Sequence, residues 1–179
     1  MKRKIPDTIS EAEVILILNA EENLKKRLAY ALMFYQAMRV SEVTNLTTEH
    51  IDKQKLMIHI KEAKGMKDRD IPIAPFFAKP GEQRAVGLKG LTINLRQLPI
   101  NFSIRTIERC LKRISIDVLD KDIHPHTLRH SGATYYLNKK KWNIRQLQRF
   151  LGHSKITTTE IYTHVSPEDL FNKMWEGES

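Results

Sequence analysis

The sequence predicts a mainly α-helical protein with a small antiparallel β-sheet, an α+β class. Three observations predict it. Apolar stripes at helical spacing recur through most of the chain. One stretch, residues 56–73, reads instead as two short strand-like runs around a basic turn. Several helix starts carry their own side-chain caps.

Ser10-x-x-Glu13 is a capping box, and Val14, Ile17 and Leu18 line the short helix that follows. Leu24, Leu28, Ala31, Leu32 and Tyr35 form a second helical stripe, running up to Met38-Arg39. A third short helix is predicted from Ser41 to Leu46. Leu56-Met57-Ile58-His59-Ile60 and Ile71-Pro72-Ile73 then read as an antiparallel hairpin. Its charged tip is Lys64-Gly65-Met66-Lys67-Asp68-Arg69. Pro72 lacks an N–H, so its strand belongs at an edge or a bulge. Residues 74–101 carry scattered Pro and Gly and predict mostly loop. From Ser103 an amphipathic helix has Ile104, Ile107, Leu111 and Ile114 inside, with Arg105, Arg109, Lys112 and Arg113 outside. Another helix starts near His126 and runs to about Asn138. Asn143-x-x-Gln146 caps a helix with Ile144, Leu147 and Phe150 on one face, stopped by Gly152. Thr157-x-x-Glu160 is a further capping box. Leu170, Phe171, Met174 and Trp175 share one side of a last short helix.

Composition narrows the function classes. The 179 residues suit one domain, with 41% hydrophobic and 28% charged side chains. No apolar run approaches the ~18–20 residues of a membrane span, and Met1-Lys2-Arg3-Lys4 leads into no signal-peptide core. Cys110 is the only cysteine, which excludes a disulfide framework and favours a cytoplasmic setting. Thirty Lys+Arg against 21 Asp+Glu leave a net charge of +9. That excess favours a polyanionic partner, nucleic acid first, although charge alone also fits a solubilising surface or membrane-surface binding.

The densest chemistry is His124-Pro125-His126-Thr127-Leu128-Arg129-His130. His126 and His130 could share a helix face as metal ligands, but no Glu follows the first histidine and no Cys cluster is near. Taken alone, the cluster is a helix start with one core histidine. It is not alone. Leu151-Gly152-His153-Ser154 stands downstream and Ile161-Tyr162-Thr163-His164 beyond it, with Tyr162 nine positions after His153. Arg39-Val40-Ser41-Glu42 stands upstream, after an apolar helix.

These elements resemble the catalytic domain of the tyrosine recombinases, the phage integrase family. That family carries Arg-x-Ser-Glu, a hairpin lysine, His-x-Leu-Arg-His, Leu-Gly-His-Ser and a tyrosine nine positions on, in this order. The resemblance implies a DNA breaking-and-rejoining core that is independent of metal, cofactor and ATP. It implies six catalytic residues: Arg39, Lys64, His126, Arg129, His153 and Tyr162. Two guanidiniums suit a crowded, anionic phosphorane, because each donates two parallel hydrogen bonds. Tyr162 is the implied nucleophile and Lys64 the implied acid on the departing 5′-oxygen, with Lys67 as the alternative. Ala63 stands where the family usually has glycine. His126 is the implied acid/base on the tyrosine proton, and His153 the donor to a non-bridging oxygen. Glu42 falls at the acidic position that supports the arginines. His124, His130 and His164 are expected to be structural.

Residues 1–179 are expected to form a single catalytic domain, with a family-like core over 10–165 and a C-terminal helix over 166–179. The sequence is expected to lack the separate N-terminal DNA-clamping domain of most relatives, as either an excised catalytic domain or a minimal recombinase, and its DNA affinity is then expected to be weak and steeply salt-dependent. The implied partners are double-stranded DNA and further copies of the chain, assembled as a dimer to tetramer through the C-terminal helix, which equally suits capping its own core. Two other functions fit parts of the pattern: a DNA-relaxing topoisomerase of the same chemistry, and an inactive DNA-binding regulator of the same fold. A binding module has no need of the tyrosine.

Overall fold

Two capped helices lead. Glu11–Ala20 forms α1 and Leu24–Tyr35 forms α2 in the computed structural model, which describes residues 8–61, 68–90, 92–152 and 167–176. Ser10 and Glu13 make the predicted capping box, with the Ser10 N–H donating to the Glu13 carboxylate at 2.7 Å. Asn23 caps α2 through the Lys25 and Lys26 N–H groups. The stripe in α2 predicts one buried face, but the helix is buried on every side from Arg27 to Tyr35. The reason is its position. α1, α3 (Val40–Asn45), α6 (Ile104–Leu119) and α7 (Pro125–Asn138) all pack against it, so no face is left for water.

The seam between α2 and α7 is the most extensive of these. A Cβ added at Gly132 would lie 2.0 Å from the Phe34 carbonyl oxygen, so only glycine lets the two helices approach this closely. Further along α7, the Tyr136 ring packs on Trp142 and Phe150 with centroids 4.6 and 5.2 Å away. This aromatic group joins α7 to α8 (Ile144–Leu151).

The predicted hairpin is present within a three-stranded antiparallel sheet. Its strands are β1 (Ile51–Asp52), β2 (Met57–Ile60) and β3 (Arg69–Pro72), in that spatial order. Ile58 faces Ile71 and Ile60 faces Arg69. β3 is an edge strand, as Pro72 requires. The fully buried Gln36, at the end of α2, donates to the Pro72 carbonyl at 3.0 Å and accepts from the Ala74 N–H at 3.1 Å. One amide therefore serves the edge where a further strand would otherwise be needed.

Residues 74–101 hold only short elements among the described residues: α4 (Pro75–Ala78), α5 (Pro80–Ala85) and a 3₁₀ turn at Leu95–Gln97. The buried Gln83 amide bonds the Phe76 carbonyl and both backbone groups of Ile93, substituting for regular pairing. In α6, Ile107, Leu111 and Ile114 are buried and the four basic residues are exposed, as predicted. In α8, Leu147, Phe150 and Leu151 are buried. Ile104 and Ile144 depart from their predicted faces and stand exposed. Each occupies the first helical position, ahead of the turn that meets the core. α9 (Pro167–Trp175) lies on β3 of its own chain, with Leu170 and Met174 buried. The Tyr136 hydroxyl lies 3.4 Å from Met174 Sδ, and the Lys79 ammonium sits over the Trp175 ring. No helix among the described residues is long and apolar enough to cross a membrane.

Candidate active site

The site grows from the sharp turn between α2 and α3. Ala37 sits there at φ 46°, a left-handed conformation that a residue with a Cβ adopts at a cost of about 1–2 kcal/mol. The turn aims the Ala37 carbonyl at α7, where the Arg129 guanidinium donates to it. Two residues later the Arg39 N–H donates to Glu42 Oε2 at 2.8 Å, and Arg39 Nη1 donates to Glu42 Oε1 at 2.7 Å. The Arg-x-Ser-Glu sequence is thus a helix start in which the acid caps α3 and grips the arginine that precedes it.

Arg129 reaches the same carboxylate from α7, with Nη1 3.7 Å from Glu42 Oε2. Its Nη2 donates to the Leu151 carbonyl at 2.8 Å, satisfying one of the acceptors left open at the end of α8. Arg39 and Arg129, which are 90 positions apart in the sequence, therefore meet on one buried acid.

A third guanidinium completes the cluster. Arg69 was expected in the charged tip of the hairpin, but it is the first residue of β3 and is 7% exposed. Its Nη2 donates to both Glu42 oxygens at 3.0 and 3.1 Å, and its Nε donates to the Phe150 carbonyl at 3.2 Å. The correction follows from strand geometry. Arg69 shares a face with Ile71 at period two, and that face is buried. Counting back from Ile71 was the signal that the sequence offered.

Burial pushes the Glu42 carboxyl up. The Arg69 guanidinium opposes that most strongly, followed by the Arg39 N–H and Arg129, and the net effect is to hold the carboxyl below the ordinary 4.5. Among the described residues, three guanidiniums thus converge on this one carboxylate. Their exposure is graded: 27% for the Arg39 side chain, 10% for Arg129 and 5% for Arg69. Arg39 is the one most open to solvent, and Arg69 is sealed behind Glu42.

Gly152 ends α8 in the left-handed conformation at φ 68°, as predicted. It has a second task. A Cβ there would lie 2.7 Å from Arg69 Nη1 and 2.9 Å from its Cδ. Glycine is thus required both by the cap and by the arginine packed against it.

His126 is exposed in the first turn of α7, three positions before Arg129 and on the same side of the helix. His124 and His130 are also exposed, so neither belongs to the core; His124 Nε2 lies 3.5 Å from Asp122 Oδ1. Lys64, Lys67, His153, Tyr162 and His164 lie outside the described residues, as does the Thr157–Glu160 capping box. Among the described residues no group of three His, Cys, Asp or Glu is placed to hold a metal ion.

The model of the phage integrase family matches residues 7–169. A tyrosine recombinase from Thermosipho africanus is 34% identical over 96% of this chain and 62% of its own length. Tyrosine recombinase XerA from Thermococcus onnurineus is 35% identical over 94% of this chain and 61% of its own. Among solved structures, a XerA recombinase superposes with a TM-score of 0.67 at 30% identity, covering 99% of this chain and 65% of that one. An integrase from mycobacterium phage Brujita shares the fold, with a TM-score of 0.71 at 19% identity, over 97% of this chain and 58% of that one. The chain thus spans about three-fifths of the length of the curated relatives it matches.

Proposed function

Because the chain belongs to the phage integrase family, we propose that it breaks and rejoins double-stranded DNA at specific sites through a covalent 3′-phosphotyrosine. The observation that carries this reading is the pair Arg39 and Arg129, oriented by one buried carboxylate that a third guanidinium also contacts. Such a site suits a transferring phosphoryl group, whose negative charge grows towards the transition state. Because the guanidiniums are already fixed by Glu42, the Ala37 carbonyl and the Leu151 carbonyl, little reorganisation accompanies the reaction.

In the proposed reaction the Tyr162 oxygen attacks phosphorus and passes its proton to His126. The bond from phosphorus to the 5′-oxygen breaks, and Lys64 protonates that oxygen. His153 donates to a non-bridging oxygen. A phenolate leaves more readily than an alkoxide, so a 5′-hydroxyl from the partner strand, giving its proton to Lys64, then displaces Tyr162, which takes its proton back from His126, and the backbone is resealed. Energy is conserved in the phosphotyrosine, so no nucleotide is consumed. The exposed Arg105, Arg109, Lys112 and Arg113 of α6 provide a basic face for the phosphate backbone. Assembly of two to four copies on paired sites is part of the same proposal. The Leu170 and Met174 stripe, buried against β3 of its own chain, would serve equally against β3 of another copy.

A nicked suicide DNA substrate tests the reading. The parent protein is expected to form an adduct that survives a denaturing gel, and Tyr162→Phe is expected to bind the same DNA without forming one. Bound DNA with no adduct from the parent protein overturns it.

A further inference from the structure

The strand-transfer reading assigns no work to Arg69, yet this residue makes more direct bonds to Glu42 than Arg129 does. It is also the most buried of the three arginines. We propose that Arg69 is a positioning residue that neutralises Glu42, so that Arg39 and Arg129 keep their positive charge available to the scissile phosphate.

The argument is electrostatic. Glu42 stands within 4 Å of all three guanidiniums. Without Arg69, the carboxylate would fall wholly to Arg39 and Arg129 and would compete with the phosphate for the same donors. Arg69 also joins two segments that carry proposed catalytic groups. It lies five residues after Lys64, and it bonds the Phe150 carbonyl and packs on Gly152, directly before His153.

The proposal rests on the strand-transfer reading, and the test separates the two. Single-turnover adduct formation is measured on two suicide substrates, one with a natural scissile phosphodiester and one with an uncharged methylphosphonate there. The variants are Arg69→Gln, Arg69→Lys and the pair Arg69→Gln with Glu42→Gln. On the phosphodiester, Arg69→Gln is expected to be slower by roughly 10- to 100-fold, with DNA binding changed by less than about threefold. On the methylphosphonate, which asks less of the positive charge, the deficit should shrink to about threefold or less. Arg69→Lys should fall between parent and Arg69→Gln. The paired neutral variant should be faster than Arg69→Gln alone, because it removes the carboxylate that competes with the phosphate, and it also serves if Arg69→Gln folds poorly. A parent protein that forms no adduct overturns the strand-transfer reading and the role of Arg69 with it. Equal losses on both substrates, or a paired variant no faster than Arg69→Gln, overturn the role of Arg69 alone.

Discussion

The Glu42 cluster and the ion pairs on the outer surface use the same chemistry in opposite surroundings. Lys112–Asp122 and Lys121–Glu13 each span 2.5 Å, shorter than any of the arginine contacts to Glu42. By distance alone the surface pairs would rank first. Their lysines are about half exposed, whereas the Glu42 side chain is 5% exposed. In water, two such charges gain little from meeting, and salt screens what they gain. In the interior, an unmatched charge has no solvent to turn to, so losing one partner is costly even though the pair itself is worth little against an apolar substitute. Environment, more than separation, ranks these contacts.

The largest test of that ranking is Glu42→Ala. It leaves Arg69 and Arg129 buried without their acid and should cost about 3 kcal/mol in urea denaturation. A loss below about 1 kcal/mol would place the cluster with the surface pairs. Acid sharpens the same contrast. The folded Glu42 carboxyl lies below its ordinary 4.5, so its contribution is complete above that value and is lost as pH falls through the lower folded value. Stability of the parent protein relative to Glu42→Gln should therefore decline below about pH 4.5. That decline should persist in 1 M salt, where contributions from Glu13 and Asp122 fade. A difference that is flat across this range would contradict it. The smallest effect is expected from Lys121→Ala, which removes the surface partner and leaves the Ser10–Glu13 capping box intact. Thermal unfolding should register at most about 0.5 kcal/mol after solvent screening.

Local rules were legible where the chain carries them locally. The Ser10 and Asn143 caps, the Gly152 stop and the edge position of Pro72 all follow from a few neighbouring residues. Arg39 and Glu42 were readable as a unit through the family resemblance, whose motif sets them three positions apart. The full burial of α2 was not readable, because a stripe reports only a helix's own pattern and not how many neighbours surround it. Arg69 was misplaced for a related reason. Read as one of several charges beside a glycine it belongs to a turn, whereas counted back from Ile71 at strand period it turns inward.

By itself the sequence determined the α+β class, most helix limits and the order of motifs that marks the family. Those properties depend on contacts between residues a few positions apart. The tertiary structure decided which charges are buried. It drew Arg39, Arg69 and Arg129 from three separate elements onto Glu42 and left Lys112 and Lys121 in solvent. A charge acquires its energetic weight from the water removed around it, and only the folded chain removes that water.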